Sequence, residues 1–221
     1  RSGQLPAADV ALLLNAAARH SEAKELGSKE MAIDSAAIDS LANRFDEEVR
    51  AARASPRDAA NVVDALGRLQ QRHEDLFEAM AEFVPSHIDR FGPRDIVGVM
   101  VAYGRLREPD EPTLLALTSQ ARHQMRQHTV AELSAITTSL ARLRVRDVRF
   151  LESLLFRCAS LSPRSSDINC GDVVALFSAL GRLRMAHSGA FGVLGEVLIS
   201  RAAWPRAGDV EQSVERLSPT D

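Results

Sequence analysis

Apolar residues recur along this chain at the spacing of one helix face, and the pattern itself recurs. Residues 55–69 read Ser-Pro-Arg-Asp-Ala-Ala-Asn-Val-Val-Asp-Ala-Leu-Gly-Arg-Leu, and residues 92–106, 129–143 and 169–183 repeat that block, each closing on a small residue, Arg and Leu. Residues 9–20 form a weaker first copy. Counted from the acidic residue of each copy (Asp9, Asp58, Asp95, Glu132, Asp172), the intervals are 49, 37, 37 and 40 residues. Columns one, four, eight and eleven after the acid are apolar in nearly every copy, as in Ile96, Val99, Tyr103 and Leu106. That spacing predicts one buried stripe on an α-helix. Column seven is small throughout (Ala16, Ala65, Ala102, Ser139, Ala179), and so is column nine (Ala18, Gly67, Gly104, Ala141, Gly181). Small residues beside a large apolar stripe let a neighbouring helix approach closely, which offsets the roughly 1 kcal/mol that glycine costs a helix.

Three residues before the acid stand Ser55, Gly92, Thr129 and Asn169, all good helix N-caps, with Pro56 and Pro93 at the first helical position. Second helices with their own stripes are predicted over 74–90, 111–127, 147–161 and 188–200. A partner helix for the first copy is predicted over 38–53, reached through a polar stretch, residues 21–35, that explains the long first interval. The expected fold is therefore all-α: an α-solenoid of about five helix-turn-helix units of roughly 37 residues. The units start near residues 6, 55, 92, 129 and 169 and form one array over 1–200. Residues 201–221 are expected to form a terminal half-repeat or cap, with Trp204-Pro205 as its anchor and a sixth copy starting at Asp209.

Composition agrees with a helical chain. Aromatic residues are 5% and hydrophobic residues 45% of the 221, so Ala, Leu and Val carry the core, and an all-β fold is close to excluded. Two cysteines, Cys158 and Cys170, neither staple a small scaffold nor build a zinc site; Cys158 falls on an apolar helix face and reads as core. No apolar run approaches the roughly 20 residues that cross a bilayer, so no membrane insertion is expected. The net charge of −3 argues against a free-standing polyanion binder. Lys24 and Lys29 are the only lysines, however, so nearly every cation is an arginine, the side chain suited to bidentate phosphate and carboxylate contacts.

The period near 37 and the block acid–apolar–x–x–apolar–x–x–Ala-Leu-Gly-Arg-Leu resemble the octotricopeptide and heptatricopeptide repeat proteins, and the helical repeats of FAST-kinase-domain proteins. The resemblance runs from Asp9 to about Leu217. It implies an α-solenoid acting on organellar RNA, mitochondrial or chloroplast, as a non-catalytic subunit of a ribosome or an RNA-processing particle. Partners would be rRNA or mRNA and neighbouring protein subunits. Many members of those families carry a C-terminal nuclease-like domain; this chain has no room for one after Ser200, so binding is expected instead of cleavage.

On a helical wheel, columns three, six and ten face away from the apolar stripe. Column ten is Arg in all five copies: Arg19, Arg68, Arg105, Arg142 and Arg182. Column six holds Asn15, Asp64, Val101, Thr138 and Ser178. In the families resembled, the first helices line the concave surface, which implies phosphate contacts for the column-ten arginines and base contacts for Asn15, Asp64, Thr138 and Ser178. Arg72, Arg107, Arg144, Arg146 and Arg184 follow the same helices and would thicken the strip. A structural use competes with this one. An arginine in the last turn of a helix interacts with its dipole and orphan carbonyls, or pairs with an acid of the next repeat. In that case the array is a protein–protein scaffold without RNA contact. The six histidines are scattered, and no phosphate loop, nucleophile elbow or paired-acid motif is present, so no enzyme, metal or cofactor is expected. Gly189, Gly192 and Gly195 lie in a helical pattern and read as close packing points.

Overall fold

Four leading helices start at the caps the sequence offers them. Ser55 Oγ accepts a hydrogen bond from the Asp58 amide (3.1 Å), and Thr129 Oγ1 accepts one from Glu132 (3.2 Å) while Glu132 returns the bond to the Thr129 amide (2.8 Å). At Gly92, which has no side chain to offer, Asp95 still accepts from the Gly92 amide at 3.0 Å. Asn169 caps the last leading helix by accepting from Gly171 at 2.7 Å. These bonds satisfy amides that a helix start leaves without intrahelical partners.

The computed structural model describes residues 5–25, 34–108, 110–162 and 168–201, which form ten α-helices and one 3-10 turn, with no strand among them. In chain order they are α1 (Ala7–Glu25), α2 (Ser35–Arg50), α3 (Pro56–Leu69), α4 (Glu74–Ser86), α5 (Pro93–Leu106), α6 (Glu111–His123), α7 (Val130–Leu143), α8 (Val148–Ala159), α9 (Cys170–Arg182) and α10 (Ser188–Arg201). Odd-numbered helices pack one on the next, α1 on α3 through to α9, and even-numbered helices do the same from α2 to α10. The result is two layers of leading and following helices, the α-solenoid the repeat predicts.

Three of the following helices, α4, α6 and α8, are shorter than their apolar patterns. Pro85 lacks an amide hydrogen, and α4 ends one residue later; residues 88–90 turn instead as a 3-10 helix. Helix α6 stops at His123, where the predicted helix runs to 127, and α2 begins at Ser35 and ends at Arg50. Helix α1 continues to Glu25, so part of the polar stretch is helical. Beyond Arg201, the expected half-repeat, Trp204-Pro205 and Asp209 lie outside the described residues.

The apolar stripe is the core. Ile96, Val99 and Tyr103 of α5, Leu133, Ile136 and Leu140 of α7, and Val173, Leu176 and Leu180 of α9 are all buried. The two small columns meet across units. A Cβ built on Gly67 would stand 2.7 Å from both Cα and Cβ of Ala102, and one on Gly104 would stand 2.8 Å from Ser139 Cβ. Column nine of one unit thus sits against column seven of the next, and only hydrogen fits there. The ends of the array show half of this contact. In α1, Leu14 is buried while Leu13, a stripe position, is 45% exposed, because no described helix packs on that side. At the other end Gly181 has nothing within 4 Å among the described residues. Gly192 and Gly195 also border open space, contrary to the packing role expected of them; Gly189 approaches Ala159 Cβ at 3.8 Å.

Three polar side chains tie units together. Ser134 Oγ donates to the Asp172 carbonyl (2.9 Å), Gln124 Nε2 to the Phe91 carbonyl (2.9 Å), and Thr118 Oγ1 to Asp147 (2.6 Å). The Glu48 carboxylate, almost fully enclosed, accepts from Arg53 and Arg44; the Arg53 hydrogen bond, helped by the charge of Arg44, holds it below the usual carboxylate range.

The glycine contacts separate two substitutions that helix propensity treats alike. Gly104→Ala is expected to destabilise the fold by about 1–3 kcal/mol through overpacking on Ser139, despite its gain in propensity. Gly181→Ala, with open space around it, is expected to stabilise by up to about 1 kcal/mol. Urea midpoints measure both, and the same sign for the two substitutions would refute the interdigitation described here.

Candidate nucleic-acid interface

Every complete leading helix ends in the same closure. Gln70, Arg107 and Arg144, at column twelve, sit in the left-handed region with φ of 55°, 56° and 59°. The residue after each one (Gln71, Glu108, Val145) donates its amide to the column-eight carbonyl (Leu66, Tyr103, Leu140) at 3.0 Å. Helix α9 ends a residue earlier, yet Arg184 takes the same φ (53°) and Met185 donates to Leu180 at 3.0 Å. This is the Schellman closure, normally built on glycine. An L side chain in that conformation costs about 1 kcal/mol or more. The closure turns the column-twelve side chain to the same end of the array as column ten.

The column-ten arginines divide into two groups. Arg68, in the last turn of α3, is consumed by structure: its guanidinium donates to Glu22 of α1 at 2.9 and 3.2 Å, to Asn15 at 3.5 Å, and lies 3.5 Å from Asp64. Asn15 also donates to the Ala11 carbonyl (3.1 Å). Burial pushes the Asp64 carboxyl above its ordinary range, with Arg68 and then Arg105 pulling the other way. Asn15 and Asp64, expected as base readers, therefore belong to the α1–α3–α5 packing. Arg72 is likewise committed, to Glu108 at 2.7 Å and Glu74 at 3.0 Å. Arg19 is exposed, but α1 runs on to Glu25, so it lies in mid-helix and not in a last turn.

The second group converges. Arg105, Arg107, Arg142, Arg144 and Arg182 line one groove of ≈520 Å³ together with Gln70, Gly104 and Ala141. Arg144 and Arg182 continue into an adjoining groove of ≈460 Å³ with Arg146 and Arg184. Among the described residues no carboxylate lines either groove. Among the described residues, Arg142, Arg144, Arg182 and Arg184 pair with no acid, and the one acid near Arg105 is Asp64 at 3.9 Å. Thr138 is half-buried and Ser178 exposed, on the column-six face, and neither lines these grooves. Sequence reasoning put Arg105, Arg142 and Arg182 on one strip with Arg107 and Arg144, but also Arg19 and Arg68, which do not line this groove; it did not single out Gln70, although the shared column twelve was its signal.

A further concavity of ≈700 Å³ opens along the starts of α3, α5 and α7, with Arg57 and Arg94 beside Asp64, Asp95 and Glu132. Its charge is mixed, and Asp95 and Glu132 are held by cap amides. Among the described residues no helix is long and apolar enough to cross a membrane.

Fold and grooves together define a helical-repeat protein with a cationic edge, the kind of surface that takes a polyanion. The family model for RNA-editing substrate-binding complex 6 protein matches residues 29–148, more than half of the chain, and the chain belongs to that family. The match covers α2 to the first residue of α8, hence Arg105, Arg107, Arg142 and Arg144. It places the chain in a helical family of RNA processing, and not specifically with the octotricopeptide, heptatricopeptide or FAST-kinase proteins. No curated protein matches the chain.

The two groups of arginines should respond in opposite ways. Arg68→Gln is expected to remove a bidentate α1–α3 tie worth about 0.5–1 kcal/mol and lower the Tm by about 1–4 °C. Arg144→Gly relieves the left-handed backbone, so the Tm should hold or rise while polyanion affinity falls. A lower Tm for Arg144→Gly would assign that arginine to structure.

Proposed function

We propose that this chain is a non-catalytic, RNA-binding subunit of an RNA-editing substrate-binding complex, located in an organelle, the mitochondrion in the first instance. It would hold single-stranded RNA by its phosphates along the groove of Arg105, Arg107, Arg142, Arg144 and Arg182. The observation that carries this reading is the convergence of five arginines on one groove that no carboxylate among the described residues lines. The family name supports the particle, an editing complex in place of the ribosome considered from the repeats alone. The net charge of −3 supports a subunit that contributes local contacts within an assembly, since a small acidic protein binds free RNA weakly.

The lining also sets the mode of binding. Among the described residues Gln70 is the only amide side chain in the groove, and no aromatic residue lines it. Bases have no stacking platform there and few edge readers, so recognition is of backbone charge and tolerant of sequence. One base per repeat is not part of the proposal, because Asn15 and Asp64 are already engaged. The pairing of Arg68 with Glu22 and of Arg72 with Glu108 favours a protein-facing or purely structural role for the first two units.

Salt dependence tests this directly. Each phosphate neutralised on a single strand contributes about −0.7 to the slope of log K against log salt. Changing Arg105, Arg142 and Arg182 together to Gln is expected to weaken binding of an oligouridylate and shallow that slope by about 2, with helical content unchanged. Unchanged affinity and slope in a folded triple variant would remove the proposal.

A further inference from the structure

Exposed large apolar side chains cluster at the two ends of the array, Leu5, Leu12 and Leu13 on one side and Val174 and Ile199 on the other, where a unit lacks a described neighbour. Leu115 (43% exposed), Val148 (42%) and Phe156 (68%) are different: they belong to α6 and α8, in the middle of the outer layer, where both neighbours are in place. Phe156 rests edge-on against His187 at 5.6 Å. Leu115 and Val148 remain open and line a groove of ≈460 Å³ between α6 and α8 with Arg122, Arg146 and Arg149. Asp147, the one carboxylate among the described residues of that lining, already accepts from Thr118 Oγ1 (2.6 Å) and the Phe150 amide (3.1 Å). Arg146 touches only a neutral partner, Met185 Sδ at 3.3 Å, and Arg122 and Arg149 pair with no acid among the described residues. The groove is thus an apolar floor beside three uncompensated cations.

We propose that this groove docks an acidic amphipathic helix of a neighbouring protein subunit, its apolar stripe on Leu115 and Val148 and its carboxylates on Arg122, Arg146 and Arg149. Charge complementarity selects an acidic occupant, and the exposed aliphatic floor selects a protein over RNA. Phosphates gain nothing from Leu115 and Val148 and are repelled by Asp147, whereas the phosphate groove at the helix ends has neither feature. An all-helical surface offers no strand edge to extend, so the occupant is a helix laid in a groove. The chain then has two working faces, RNA on the ends of the leading helices and a protein subunit on the following ones.

The test uses the full chain and a labelled helical peptide of about three turns, with leucines at i, i+3, i+4 and i+7 and glutamates flanking them. Saturable binding is expected by fluorescence anisotropy. The double variant Arg122→Glu/Arg149→Glu should weaken it at least about tenfold. A peptide with lysines in place of the glutamates should prefer that variant to the native chain, a rescue that a misfolded protein does not show. Oligouridylate affinity should not change in the double variant, which keeps this outcome separate from that of the RNA proposal. No saturable peptide binding, equal binding by both forms, or a loss of RNA affinity in the double variant would each overturn the docking site.

Discussion

The contact between column nine of one unit and column seven of the next sets everything else in this molecule. At Gly67–Ala102 and Gly104–Ser139 the helices are so close that a methyl group would not fit. That approach fixes the spacing of the leading helices, and with it the spacing of their ends. The arginines of units three to five share a groove because small residues at these columns let their helices approach closely. Leucine at those columns would bury more surface per helix but would spread the cations apart. Packing and electrostatics are thus two readings of one distance.

The same stack accounts for the uneven charge along it. Where a carboxylate falls between successive helix ends, as Glu22, Asp64 and Glu108 do, the guanidinium is paired and becomes a strut. Where none of the described residues supplies one, as around Arg142 and Arg182, the charge stays at the surface and accumulates from unit to unit. A net charge of −3 is therefore compatible with a strongly cationic edge, because sum and distribution are independent quantities.

The fold was legible in the sequence because repetition multiplies a weak signal. One Ala-Leu-Gly-Arg-Leu block says little, but four in register define helix, stripe and small face together. The competing uses of the arginines were not separable from sequence. Arg68 and Arg105 occupy identical columns, yet the acid that claims Arg68 is Glu22, 46 positions away across an irregular first interval. Nor does arginine announce a left-handed backbone, so the closure at Arg107 and Arg144 had no local signature. The over-long prediction for α4 has a simple cause: its apolar pattern continues past Pro85, while the α-helical hydrogen bonding gives way to a 3-10 turn. Leu13 and Gly192 were misjudged because periodicity alone does not say on which side a neighbour stands.

The left-handed residue that closes each leading helix has an evolutionary corollary. Its side chain leaves the fold from a backbone that glycine would suit better than any charged residue, so the identity of that residue is free of packing demands. Gln70 already shows the same turn without a cation. Grip on a polyanion can therefore be tuned one unit at a time, by exchanges that leave the stack of helices indifferent. A scaffold with such a dial can retarget its cargo much faster than it can redesign its core.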